Sequence, residues 1–273
     1  MGRTFDKETS TKDNLKTTLA LLYEFRPFAT FAETDYRFLL QFESFLEQKG
    51  LKVNTIAKHL CHFRTFYNAA VREGIVLPDS SPFLHYKIKT TEGHHVFLLP
   101  DELKKLEMLA LELAGKPLSH TLDAFLFCCY TGLRYSDFTK LSEENLIYPD
   151  HQHVWLVFKS QKTGVESQIP LDLLFQGKAV RILEKYEDKA RFFRLKPNPD
   201  INKELIRIGR LAHIEKHFSF HSSRHTNATL LIYSGAQLTT VQKLLGHRSI
   251  KTTQVYGEVF SQTLVNDLKK CKF

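Results

Sequence analysis

The 273-residue chain is sparing in sulfur and indole, with four cysteines, two methionines and a single tryptophan. Cys61, Cys128, Cys129 and Cys271 show none of the spacing that staples small secreted domains, so free thiols in a reducing compartment are expected. No apolar run approaches the roughly 20 residues of a bilayer-spanning helix. The longest, Ala124-Phe125-Leu126-Phe127-Cys128-Cys129-Tyr130, reads as a buried helical segment whose adjacent thiols point to different faces. The first twelve residues are polar and lack the apolar core of a signal peptide, which places the chain in the cytoplasm. Internal repeats and low-complexity segments are missing as well. Acidic residues are in the minority, 30 against 38 Lys and Arg, for a formal charge of +8. That excess suits a polyanionic partner bound through phosphate contacts and counterion release, and equally suits plain solubility.

What is present is an ordinary globular composition, 42% hydrophobic and 25% charged, long enough for two modest domains or one large one. Helical apolar spacing marks residues 14–25, then 34–48 with Thr34 as N-cap, then 54–72 with Ile56, Leu60, Phe63, Phe66, Tyr67 and Ala70 inward. Lys58, His59 and Arg64 are left for another face of that third helix. Pro78, Pro82 and the polar run from Lys89 to His95 then break the pattern and read as a linker. Pro100-Asp101-Glu102 opens a helix with acids at the positive end of its dipole, and residues 119–130 form another that stops at Thr131-Gly132. Residues 154–158 and 167–170 alternate as strands around a turn at 160–164. Helices follow over 173–186, 202–211, 222–233, 238–245 and 261–270.

Four clusters stand out against this background. They are Thr131-Gly132-Leu133-Arg134, Lys162-Thr163-Gly164, His221-Ser222-Ser223-Arg224-His225-Thr226, and Gly246-His247-Arg248 running through Thr252-Thr253 to Tyr256. Taken together and in this order, they resemble the active-site set of the tyrosine recombinases, the phage integrase family. The resemblance covers all four motifs and, more loosely, the layout from about Phe31 onward. It implies a mainly α fold with a small antiparallel β-sheet. A helical core-binding domain would span residues 1–90 and a linker 91–98. A mixed α/β catalytic domain with a C-terminal tail helix would span 99–273, with no room for an arm-binding domain. Ser223 stands where relatives commonly carry an apolar residue, and Gly257-Glu258 where a small residue and His are frequent.

The chemistry implied is attack on a DNA phosphodiester by Tyr256, leaving a 3′-phosphotyrosyl link and a free 5′-hydroxyl. Breaking that bond concentrates negative charge on the non-bridging oxygens, which planar, permanently charged guanidinium groups stabilise best. Arg134 and Arg224 are the candidates. By the resemblance, Lys162 is the general acid, with Lys159 as the competing choice, and His221 and His247 assist at the phosphoryl centre. Asp137, three residues after Arg134, would orient the cations. No cofactor and no metal are required. The i, i+4 pair His221 and His225 has zinc-helix spacing, but Ser222 occupies the place of the metalloprotease Glu; His94-His95 and His151-Gln152-His153 have no cysteine companions. The partners implied are double-stranded DNA, contacted by Lys58, His59, Arg64 and Arg72, and three further copies of the chain. The stripe Phe260, Leu264, Val265 and Leu268 would dock on a neighbouring copy or fold back on its own domain. A type IB topoisomerase would use nearly the same residues without exchanging strands. A silent DNA-binding relative would have no use for all six candidate catalytic residues.

Overall fold

The computed structural model describes residues 5–93 and 95–257, with side chains from Lys12 onward. The tail stripe and Cys271 lie outside the described residues. The chain divides after His94 into two compact units.

In the first unit, α1 (Phe5–Phe25), α2 (Tyr36–Gln48) and α3 (Val53–Arg72) pack pairwise. Their core is aromatic: Phe38, Phe42 and Phe63 are buried, and Phe25 meets the Phe38 ring edge-on at 5.2 Å. Helix α2 starts later than its spacing predicts. Asp35, not Thr34, is its N-cap, accepting from the Phe38 amide at 2.8 Å, while the Thr34 hydroxyl donates to the Phe31 carbonyl. A carboxylate fits that position well, because it satisfies an orphan amide at the positive end of the helix.

His59 departs from the sequence expectation. It is 5% exposed, and its Nδ1 lies 2.8 Å from the Thr18 hydroxyl of α1. The position lies three residues after Ile56 and four before Phe63, on the buried stripe of α3, so the ring turns inward against α1. Burial, then the charges of Lys58 and His62, lowers its pKa and keeps it neutral. A buried neutral ring of this kind is no DNA contact. Lys58, Arg64 and Arg72 do remain exposed on α3.

The second unit is built around α5 (Ser119–Thr131), preceded by α4 (Pro100–Glu112). Every residue from Thr121 to Thr131 is buried, so Cys128 and Cys129 are both fully enclosed although adjacent helical positions point to different faces. Gly132 ends the helix in a left-handed conformation, φ 72°. A short α6 (Tyr135–Phe138) follows immediately. The sheet then forms from β1 (Leu146–Ile147), β2 (Trp155–Lys159) and β3 (Glu166–Pro170), antiparallel in the order β1-β2-β3. Leu156 pairs with Ile169 and Phe158 with Ser167. The first strand, two residues long, carries no periodicity from which to read it.

Residues 173–186 are not one helix. Phe175 and Gln176 adopt positive φ, which breaks the segment into a 3₁₀ turn and α7 (Lys178–Glu184). After α8 (Lys189–Phe192), α9 begins at Asn198 with Pro199 in its first turn and runs to Leu211. The last described helices are α10 (Ser222–Tyr233), α11 (Leu238–Leu245) and α12 (Lys251–Gln254). Helices α4, α7, α9 and α10 surround α5. A separate small cluster of Ala228, Val241, Leu245 and Tyr256 joins α10 to α11 and to the segment after α12. No described helix is long and apolar enough to cross a membrane.

Candidate active site

The six candidate catalytic residues come from five places in the second unit: the end of α5, the β2–β3 turn, the first turn of α10, the turn after α11, and the end of α12. Arg224 ties three of these together. It is 4% exposed; its Nη1 donates to the Gly132 carbonyl at 2.6 Å and its Nη2 to the Leu245 carbonyl at 2.5 Å. Those carbonyls stand two residues before Arg134 and two before His247. One planar fork therefore bonds the backbone next to both neighbouring motifs, with two donors held in a fixed geometry that a lysine's rotatable ammonium lacks. Burial, then the nearby Arg134 charge, pulls the Arg224 pKa down to about 9, with Tyr256 and Asp137 acting in the opposite direction.

The glycine before Arg134 is required twice over. Besides its positive φ, a Cβ at Gly132 would stand 2.6 Å from Leu245 Cδ2 and 2.7 Å from Asn227 Oδ1. The absence of a side chain thus lets α10 and α11 close onto the end of α5.

Arg134 is held through Asp137 and Ser160. Its Nη1 donates to Ser160 Oγ at 3.2 Å and reaches Asp137 Oδ2 at 3.5 Å. Asp137, 3% exposed, also accepts from Ser160 Oγ at 3.2 Å and from the Gln161 amide at 2.8 Å. The carboxylate therefore couples the arginine to the start of the turn that carries Lys162. That turn closes through the Gly164 amide donating to the Ser160 carbonyl at 2.8 Å, and Lys162 stands exposed on it. Lys159 is exposed too, at the end of β2. The Lys162 charge reaches His221, whose pKa is lowered by burial first and then by Arg224, Arg134 and Lys162.

His247 follows the left-handed Gly246, and its Nδ1 lies 2.9 Å from the buried Thr253 hydroxyl. Burial, then the two arginines, brings its pKa down to about 4. The same turn leans on the hairpin. Arg248 donates to the Thr163 carbonyl, and Gly246 passes so close to Ser167 that an added Cβ would stand 3.0 Å from its Oγ.

Tyr256 is 5% exposed, and its hydroxyl lies 2.8 Å from His225 Nδ1. Burial raises its pKa, while Arg224 and Arg134 pull the other way. The phenol is therefore protonated at rest but lies within the field of both guanidiniums. All six candidates and Asp137 thus belong to one neighbourhood of the second unit. The α3 cations Lys58, Arg64 and Arg72 belong to the first unit.

Sequence reasoning gave no part in the site to Ser160, Thr253, Arg248, His95 or His225. His225 carries a signal, since it lies at i+4 from His221 on the same helix face. The others become visible only through tertiary approach. Ser223 is fully buried, its hydroxyl donating to the Phe220 carbonyl at 2.6 Å, so the polar departure from the motif is satisfied locally.

The arrangement has counterparts among known proteins. The phage integrase family pattern matches residues 97–263, and the phage integrase SAM-like domain matches residues 3–88. The tyrosine recombinase XerD of Listeria monocytogenes serotype 4b (strain F2365) is 30% identical over 241 residues, spanning 81% of this chain and 77% of that protein. Among solved structures, the XerH site-specific recombinase bound to its palindromic difH substrate, a post-cleavage complex, superposes with a TM-score of 0.73 at 18% identity. It covers 94% of this chain and 79% of its own. A lambda integrase tetramer bound to a Holliday junction gives a TM-score of 0.72 at 17% identity, covering 93% of this chain and 73% of its own. With both parts of the chain matched and the relatives spanned over most of their length, the chain belongs to the phage integrase family and, with it, to the tyrosine recombinases.

Proposed function

We propose that the chain cleaves and rejoins double-stranded DNA at specific sites, with Tyr256 as nucleophile and a 3′-phosphotyrosyl intermediate. The observation that supports this reading is the buried Arg224 fork, which bonds the Gly132 and Leu245 carbonyls, two residues before Arg134 and His247, and whose charge also reaches Tyr256. A guanidinium with no carboxylate ion pair among the described residues, in a protein whose formal charge is already +8, suits an anion supplied from outside.

In this reading Tyr256 Oη attacks the scissile phosphorus and the P–O5′ bond breaks. Arg134 and Arg224 carry the charge that builds on the non-bridging oxygens. Lys162, on its exposed turn, enters from the hairpin side and protonates the departing 5′ oxygen. His221 and His247, both neutral at pH 7, donate N–H groups to the phosphoryl oxygens. Asp137 and Ser160 hold Arg134 and the Lys162 turn in register. The phosphotyrosyl bond conserves the energy of the broken ester, so rejoining needs no nucleotide cofactor. Exchange between two duplexes requires several copies, and we assign a tetramer on DNA by analogy with the lambda integrase assembly. The exposed Lys58, Arg64 and Arg72 serve as phosphate or base contacts of the first unit. The reaction takes place in the cytoplasm, where the free thiols Cys61, Cys128 and Cys129 stay reduced.

The test is a denaturing gel for protein-linked DNA after incubating the chain with EDTA and genomic DNA from its source cells, which carries every natural site. An adduct from wild type and none from Tyr256→Phe is the expected result. An adduct that persists in Tyr256→Phe would remove Tyr256 as nucleophile. DNA retention without any adduct would favour a silent binding protein.

A further inference from the structure

His225 has no part in the scheme above, yet it is the residue that touches the Tyr256 hydroxyl, Nδ1 to Oη 2.8 Å. Its ring is held on two sides. His95 stacks on it at 4.4 Å with 29° between planes, and His221 meets it edge-on at 4.7 Å and 83°. A ring held this way keeps Nδ1 aimed at the hydroxyl. Burial first, then the charges of His221, His95, Arg224 and His247, lowers its pKa to about 3. At neutral pH the imidazole is therefore uncharged and offers one nitrogen with a free lone pair. Phenol is the more acidic of the two groups, so the O–H donates and Nδ1 accepts. Because burial keeps the Tyr256 phenol protonated at rest, attack on phosphorus must be accompanied by loss of that proton.

Resting on the reading of Tyr256 as nucleophile, we propose that His225 Nδ1 takes the phenolic proton during attack, and that His95 is the positioning residue that fixes the His225 ring. In that step the Oη–H bond breaks as Nδ1–H forms, and Oη–P forms as P–O5′ breaks. The departing oxygen receives its proton from Lys162. In rejoining, a 5′-hydroxyl attacks phosphorus and gives its proton back to Lys162, the Oη–P bond breaks, and the proton on Nδ1 returns to Oη. The low basicity of the resting ring fits this role once substrate is considered. A phosphate brought next to Tyr256 carries the negative charge that favours an imidazolium, so the acceptor gains strength when the target is in place. Until then the ring stays neutral and the nucleophile stays protonated.

The test uses the full-length chain and the genomic-DNA adduct assay, with initial rates for wild type, Tyr256→Phe, His225→Ala, His225→Asn, His95→Ala and His95→Phe. Loss of a proton acceptor should slow adduct formation about 10²-fold or more in His225→Ala and His225→Asn, with added imidazole restoring His225→Ala. Asn is the informative variant, because its amide oxygen can accept the same hydrogen bond but takes no proton. His95→Phe should keep most of the rate that His95→Ala loses. Unfolding curves and DNA retention matching wild type show that each variant is folded.

Once adducts have been sequenced to give the cleaved site, a substrate with sulfur in place of the bridging 5′ oxygen separates the two proton transfers. It should rescue Lys162→Ala and leave His225→Ala slow. A wild-type rate in His225→Asn, or sulfur rescue of His225→Ala, overturns the assignment of His225 while leaving Tyr256 in place. No adduct from wild type removes the nucleophile reading, and this one with it.

Discussion

Gly132 offers the sharpest test of how the site is assembled. Gly132→Ala adds one carbon at a residue with φ 72°, where left-handed backbone costs a Cβ-bearing residue about 1–2 kcal/mol. The new carbon also meets Leu245 Cδ2 at 2.6 Å and Asn227 Oδ1 at 2.7 Å, an overpacking worth a further ~1–3 kcal/mol. Gly115→Ala is the matched control: its φ is 73°, but a Cβ there meets nothing within 4 Å. Backbone strain and the reduced freedom of the unfolded chain act alike in both variants and cancel in the difference. What remains is the steric part, and Gly132→Ala should be less stable than Gly115→Ala by about 1–3 kcal/mol. Trp155, the single tryptophan, lies on β2 of the second unit and reports its unfolding in urea. Gly132→Ala should also lose adduct formation, because displacing the Gly132 carbonyl moves the Arg224 fork. Equal stability of the two variants would show that α10 and α11 do not need the missing side chain, and the account of site assembly would fail.

Arg224→Lys keeps the charge but loses the planar fork and its reach, so adduct yield should fall at least about 10²-fold, as for loss of a preorganised electrostatic group, while DNA retention changes little. Asp137→Asn should cost about 1–3 kcal/mol by weakening the bonds to Gln161, Ser160 and Arg134, and should slow adduct formation; an unchanged urea midpoint by Trp155 fluorescence would argue against that role. The site histidines set a pH dependence. His225 and His247 have folded pKa values of about 3 and about 4, and His221 is lowered too, whereas the unfolded chain binds these protons near 6.5. Below that value the unfolded state holds more protons, so stability should fall as the pH drops from about 7 toward 4. The fall should be shallower in His247→Gln, and a midpoint that rises on acidification would contradict the sign.

The motifs were legible because each is a short run whose chemistry is local: a helix stop before Arg134, a tight turn at Lys162, a helical His221–Arg224 pair, and a turn before Tyr256. The helices were legible wherever one face is apolar, which covers α2, α3 and α11. Failures came where another force decides the outcome. Phe175 and Gln176 take positive φ although neither is a residue that favours it, so nothing local announces the break before α7. His59 shows charge-bearing chemistry overruled by position, since its spacing from Ile56 and Phe63 already turns it inward. The contact from His225 to Tyr256, and the stacking of His95 on His225, join residues far apart in sequence. No window along the chain contains both partners.

Tyr256 belongs to a different hydrophobic cluster from the one that surrounds α5, sharing it with Ala228, Val241 and Leu245 among the described buried residues. In the language of local unfolding, the segment from α11 through Tyr256 should open as a unit of its own, at a lower free energy than the helix beneath it. Amides of α5 should exchange with solvent only through global unfolding, and those around Tyr256 through a smaller, earlier opening. The segment can then adjust to a bound phosphate, with the Oη–Nδ1 contact kept, while the α5 core that supports Arg134 stays closed.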